Sequence, residues 1–190
     1  MGMDRIVILG GGYAGLAALR RLSRVLGPSP GQLIVIDASA YHCVKTRFHE
    51  LAVDLSRERW IRFPITWFTD AARARFMEAS IRKVDFRRRT VFTSKGEVGY
   101  ERLLITLGGQ PSYFGVRGAS RHAVSLQTYE STLECNRRIT ALGLRTATGP
   151  TPRIVVCGAG LEGIEGAAML RQYAGSGRSV VISIANRPPS

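Results

Sequence analysis

A G-x-G-x-x-G hexapeptide stands near the start of the chain and returns 148 positions later. The first copy, Gly10-Gly11-Gly12-Tyr13-Ala14-Gly15, follows the apolar, β-branched run Arg5 to Leu9 and precedes Leu16-Ala17-Ala18-Leu19-Arg20-Arg21-Leu22. An apolar run, a glycine turn and a helical spacing of leucines read as strand, tight turn and helix. Beyond Gly27 to Gly31, where two prolines stop the helix, Leu33-Ile34-Val35-Ile36 reads as a second buried strand with Asp37 at its carboxyl end. Together these elements form one βαβ unit, whose strands are parallel and whose crossover is right-handed.

The glycines have separate duties. The first permits the tight turn, the second lets backbone N–H groups approach a pyrophosphate, and the third allows close helix–strand packing. Gly10, Gly12 and Gly15 occupy those places. The helix that follows offers unpaired N–H groups and a partial positive charge, so an anion can be held without a lysine. Asp37 comes 22 residues after Gly15, where a carboxylate accepts hydrogen bonds from a ribose diol. The first turn therefore reads as a dinucleotide site.

The second copy has its strand, Arg153 to Cys157, its glycines Gly158, Gly160 and Gly163, and its helix Ile164 to Ala174, followed by a strand over Ser179 to Ile184. It lacks its acid: 22 residues beyond Gly163 stands Ala185, and no Asp or Glu follows Glu165. Two readings stay open. Arg187 could meet a 2′-phosphate in place of the usual ribose carboxylate, or the strand could be the frayed end of an incomplete domain. Only 33 residues run from Gly158 onward, room for one βαβ unit.

Between the motifs, Trp60 to Arg75 fits a helical face poorly and Pro64 interrupts any helix, whereas Phe76 to Leu107 reads as several strands: Phe76–Ile81, Lys83–Phe86, Thr90–Ser94 and Arg102–Leu107. The formal net charge of +13 is almost wholly arginine, since only Lys45, Lys83 and Lys95 are lysine. The densest basic run, Arg87-Arg88-Arg89, falls where a hairpin turn is expected and reads as a solvated turn, so no nucleic-acid partner is expected. Three cysteines, Cys43, Cys135 and Cys157, form no C-x-x-C pair and fit a reducing, cytoplasmic setting. No stretch is apolar for long enough to span a membrane. His42, His49 and His122 show no metal-ligand spacing, and G-x-S-x-G is absent.

Two dinucleotide motifs with a mixed β segment between them resemble the FAD-dependent pyridine nucleotide-disulfide oxidoreductase superfamily. Within it, Tyr41, His42 and Glu50 after the first ribose acid resemble the type II NADH dehydrogenase segment, with Val44 and Thr46 where that family prefers Phe and Pro. The run Thr106-Leu107-Gly108 followed by Pro111, Phe114, Gly115 and Gly118 is similar to the family's next signature. The resemblance implies an α/β fold class: a Rossmann-like FAD-binding domain with an inserted β segment over 1–150, then the start of a Rossmann-like NAD(P)-binding domain over 151–190. It implies FAD at the first motif, NAD(P)H at the second, Thr106 and Gly108 beside FAD, and Glu165 as the catalytic acid of the Gly163-Ile164-Glu165 run. Its activity would be NADH:quinone reductase-like, passing hydride from nicotinamide to flavin and then electrons to a small-molecule acceptor. The alternative is a truncated, catalytically silent flavin- or nucleotide-binding module. The family's C-terminal half, with its amphipathic membrane helices, has no counterpart here, and a homo-oligomer stays open.

Disulfide-reductase relatives place C-x-x-x-x-C on the helix after the ribose acid, and Cys43 has no partner at that spacing. Cys135 and Cys157 read as small apolar core residues. His42 can either shape the flavin site or serve as a hydrogen-bonded structural histidine.

Overall fold

The computed structural model describes residues 5–27, 32–145, 151–175 and 181–185. In chain order the elements are β1 (Ile6–Leu9), α1 (Tyr13–Leu26), β2 (Leu33–Asp37), β3 (Tyr41–Cys43), α2 (Phe48–Leu51), β4 (Arg62–Pro64), α3 (Ile65–Ala71), β5 (Arg75–Glu78), β6 (Ile81–Asp85), β7 (Thr90–Thr93), β8 (Gly96–Gly99), β9 (Arg102–Ile105), α4 (Ala119–His122), α5 (Tyr129–Ala141), β10 (Arg153–Cys157), α6 (Leu161–Ala174) and β11 (Val181–Ala185). Short 3-10 turns cover Lys45–Arg47 and Leu55–Trp60. They divide into two compact units, one of residues 1–43 and 62–109, the other of 44–61 and 110–190.

The first unit is built on a four-stranded sheet of order β5-β2-β1-β9, parallel throughout. A parallel sheet buried on both faces needs continuous apolar strands rather than alternating ones, and β1 is buried at all four positions. Side chains alternate across the pleat. Ile6, Ile8, Leu33 and Val35 pack on one face against Leu16 and Leu19 of α1 and Ile65 of α3. Val7, Leu9, Ile34 and Ile36 pack on the other against Val91, Val98 and Tyr100. Those last residues belong to or follow the antiparallel sheet β6-β7-β8.

Two elements depart from the sequence reading. Pro64 does not bar a helix from the region: it sits immediately before Ile65, where α3 begins, and the missing proline N–H costs nothing at a helix start. β8 was hidden because its residues are Gly96, Glu97, Val98 and Gly99. It is a strand because β7 lends it partners, Val91 opposite Val98 and Thr93 opposite Gly96, and such pairing outweighs intrinsic preference. The run Phe86 to Arg89 forms the expected turn between β6 and β7, its Arg87 and Arg88 amides donating to Asp85.

In the second unit β10 and β11 pair in parallel. Ile154 and Val156 join a core of Ala52, Val53, Ile139, Leu144, Leu170 and Ala174. Arg153, Val155 and Cys157 are exposed. Cys157 is thus not the core residue expected, because strand alternation puts it on the same side as Val155. A capping box closes the start of α5, with Thr128 and Ser131 satisfying each other's backbone amides. Polar ties bind the 44–61 segment to α5: Asn136 donates to the Ala52 carbonyl at 3.1 Å and the Tyr129 hydroxyl donates to Glu58 at 2.6 Å.

Within that segment the Arg47 guanidinium donates to both Glu50 oxygens at 2.7 Å. It holds the Glu50 carboxyl below the usual carboxylate range. A depressed folded pKa contributes stability that is present above the unfolded value and lost as pH falls through the folded one. Arg47→Met is therefore expected to lower the urea midpoint near neutral pH, and the gap from the parent chain should close on acidification below the Glu50 titration. Parallel urea curves with a constant gap would show that the pair is not its source.

Candidate functional site

At the end of β1 the backbone turns through Gly10 with φ 103°. Its amide donates to the Ile36 carbonyl at 2.8 Å. A side chain at Gly10 would collide with the Thr106 carbonyl, and one at Gly15 would collide with the carbonyl of Gly10 itself. Strand end and helix start therefore meet backbone to backbone. Thr106 secures the turn from β9: its amide donates to Leu9 at 2.8 Å, and its hydroxyl lies 2.8 Å from the Leu9 carbonyl and 3.1 Å from that of Gly10.

Gly12 faces open space, with nothing within 4 Å of where a Cβ would stand. The first helical bond of α1 runs from Leu16 to the Gly12 carbonyl. Among the described residues no acceptor takes the N–H groups of Gly12, Tyr13 or Ala14. Unpaired amides at the positive end of a 14-residue helix have the chemistry to hold an anion.

Asp37 stands at the carboxyl end of β2, where one oxygen accepts the Gly11 amide at 2.6 Å and the other the Ser39 amide at 2.8 Å. An ionised carboxylate has about four acceptor sites, so two amides leave capacity for a diol. This arrangement explains Gly11, which motif reasoning passed over. A Cβ there would lie 2.5 Å from Ile65 Cδ1 and 3.5 Å from Asp37 Oδ2. The signal was visible as the middle one of three consecutive glycines, but its reason lies in α3. The Gly11 carbonyl points the other way, 3.1 Å from Nδ1 of buried His42. Tyr13 and Phe68 meet that imidazole edge to face, with ring centroids at 5.1 and 5.8 Å. Gly108 follows with φ 74° and no neighbour within 4 Å of a would-be Cβ.

The second turn repeats the backbone of the first. Gly158 has φ 114°, a Cβ on Gly163 would collide with the Gly158 carbonyl, and Gly160 faces open space. Ala159 replaces Gly11. The register also refines where an acid should be sought. Leu9 pairs with Ile36 just before Asp37, and Cys157 pairs with Ala185, so the counterpart of Asp37 is Asn186 rather than Ala185. Asn186 and Arg187 lie outside the described residues.

Glu165 lies in α6, half-exposed, with Oε2 3.6 Å from Nδ1 of His49 in α2. Cys135 is half-buried on α5, and burial pushes its thiol pKa up, which disfavours the reactive thiolate. Among the described residues all three cysteines are free and no helix is long and apolar enough to cross a membrane.

Residues 4–188 match the family described as pyridine nucleotide-disulphide oxidoreductase. The chain is 28% identical over 171 residues to NADH dehydrogenase-like protein YutJ of Bacillus subtilis, covering 90% of this chain and 46% of that protein. It is 27% identical over 172 residues to the type II NADH:quinone oxidoreductase of Staphylococcus haemolyticus, covering 87% and 43%. It therefore spans less than half the length of these relatives. NDH2 from Plasmodium falciparum superimposes with a TM-score of 0.77 at 15% identity, covering 96% of this chain and 41% of that one. NADH:rubredoxin oxidoreductase from Clostridium acetobutylicum does so at 0.71 and 20%, covering 96% and 44%. These structures share the expected α/β, Rossmann-type fold.

The two glycine environments predict opposite behaviour on substitution. Gly15→Ala forces a methyl into the Gly10 carbonyl and should cost about 3 kcal/mol in urea denaturation. Gly12→Ala enters open space and should cost less than about 1 kcal/mol. Equal losses would show that the close approach is not what requires glycine.

Proposed function

This chain belongs to the pyridine nucleotide-disulphide oxidoreductase family, and on that premise we propose that it binds FAD and serves an NAD(P)H oxidoreductase. FAD would be held within residues 1–150 by the turn of Gly10, Gly12 and Gly15, by Asp37, and by Thr106 and Gly108. NAD(P)H would be held within 151–190 by Gly158, Gly160 and Gly163. The observation that carries the reading is one turn that offers both halves of a dinucleotide their chemistry: unpaired amides for a pyrophosphate, and a carboxylate with acceptor capacity for a ribose.

Bound flavin supplies the two-electron chemistry, taking hydride from nicotinamide and yielding electrons to an acceptor. The chain's own part is to bind and align. The α1 amides offset phosphate charge, Asp37 orients the adenosine end, and Thr106 keeps the Gly10 turn closed so that those amides stay aimed at one point. Glu165, with Oε2 beside the His49 ring, is the group we assign to holding a proton as the acceptor is reduced. The relatives named NADH:quinone oxidoreductase favour a quinone as that acceptor. A second reading, a nucleotide-binding module without turnover of its own, is favoured by one observation: the second motif has no acid after Glu165.

Purified protein is expected to show the visible absorbance of bound flavin. Asp37→Ala removes a charge-assisted contact, so FAD affinity by equilibrium dialysis should fall roughly tenfold to a hundredfold. Unchanged affinity would remove Asp37 from the site. Stopped-flow reduction of FAD-loaded protein by NADH and by NADPH separates the two readings, since rapid flavin bleaching by either nucleotide excludes a silent module.

A further inference from the structure

We propose that His42 is a positioning residue for the anion cradle of the first glycine turn, an inference that rests on the dinucleotide reading above and adds a residue to it. His42 is 8% exposed in β3, opposite Phe63, and its Nδ1 lies 3.1 Å from the Gly11 carbonyl oxygen. A carbonyl oxygen only accepts, so Nδ1 carries the hydrogen and donates it. In a trans peptide the C=O and the following N–H point in opposite directions. Drawing the Gly11 carbonyl toward His42 therefore turns the Gly12 N–H away from it, and that N–H has no acceptor among the described residues.

The peptide on the other side of Gly11 is held as well, because its N–H donates to Asp37 at 2.6 Å. Gly11 is thus pinned at both polar groups. The two pins are needed because a glycine pays more conformational entropy than any other residue to keep one geometry, and three stand here in succession. Tyr13 and Phe68, edge-on to the imidazole, fix the ring plane and hence the direction of its N–H. The second turn is an internal comparison. Its glycine backbone is the same, yet no side chain among the described residues donates to the Ala159 carbonyl. Among the described residues, only the first cradle has a side chain donating to the carbonyl of its central residue.

The test compares His42→Phe, which keeps an aromatic ring between Tyr13 and Phe68 but has no donor, with His42→Asn, whose side-chain N–H can replace that of Nδ1. FAD and ADP affinities are measured by equilibrium dialysis beside far-UV circular dichroism and thermal melting. Folded His42→Phe is expected to bind both ligands about tenfold more weakly, with His42→Asn restoring most of the loss. Should the Phe variant not fold, His42→Leu, near in size to Asn, takes its place. Equal affinities in the donor and donor-less variants overturn the proposal, as does parental affinity in His42→Phe. ADP binding that depends on residue 42 in a chain that takes no FAD would uphold the cradle while removing the flavin reading. A parent chain that binds neither ligand would overturn both.

Discussion

The carbonyl oxygen of Gly10 occupies the space that a side chain at position 15 would need. That single exclusion brings the end of β1 and the start of α1 into backbone contact. The candidate site of the first unit is arranged around it. With the helix start pressed to the strand end, Leu16 and Leu19 fall onto Ile6, Ile8, Leu33 and Val35, and the unpaired amides of the first helical turn lie beside the carboxyl ends of the strands. Open parallel sheets bind ligands at that edge. Asp37 and Thr106 reach the turn because one ends β2 and the other directly follows β9, the two strands that flank β1.

The second turn shows what the glycine backbone alone does and does not provide. Its Gly163 meets the Gly158 carbonyl as Gly15 meets that of Gly10, so strand and helix pack alike. What differs is the surround. The first turn has Asp37 on the Gly11 amide, His42 on its carbonyl and Ile65 Cδ1 2.5 Å from where a Cβ on Gly11 would stand. The second has Ala159. A glycine fingerprint is thus a statement about packing and phosphate access, and the selection of a particular nucleotide depends on groups that other elements deliver.

Charge gives less guidance than its size suggests. A net charge of +13 would ordinarily direct attention to polyanions, but Arg87 and Arg88 sit in a turn whose amides are organised by Asp85, and Arg137 and Arg138 are paired with Glu134. Exposed pairs of this kind contribute little to stability.

The sequence by itself determined the βαβ units, the place of Gly10, Gly12, Gly15 and Asp37, and the repetition at Gly158, because these depend on local turn chemistry and on periodicities that survive in one dimension. It did not reveal β8, whose glycine-flanked Val98 becomes a strand only by pairing with β7, nor the exposure of Cys157, which follows from a sheet face that the core does not cover. It identified Tyr41 and His42 as a resemblance without saying what they touch. Only the tertiary structure joined His42 to Gly11 across 31 residues and Thr106 to Gly10 across 96. Contacts at such separations leave no period in the chain, since the side chains that make them are chosen by the geometry of the meeting place rather than by their neighbours in sequence.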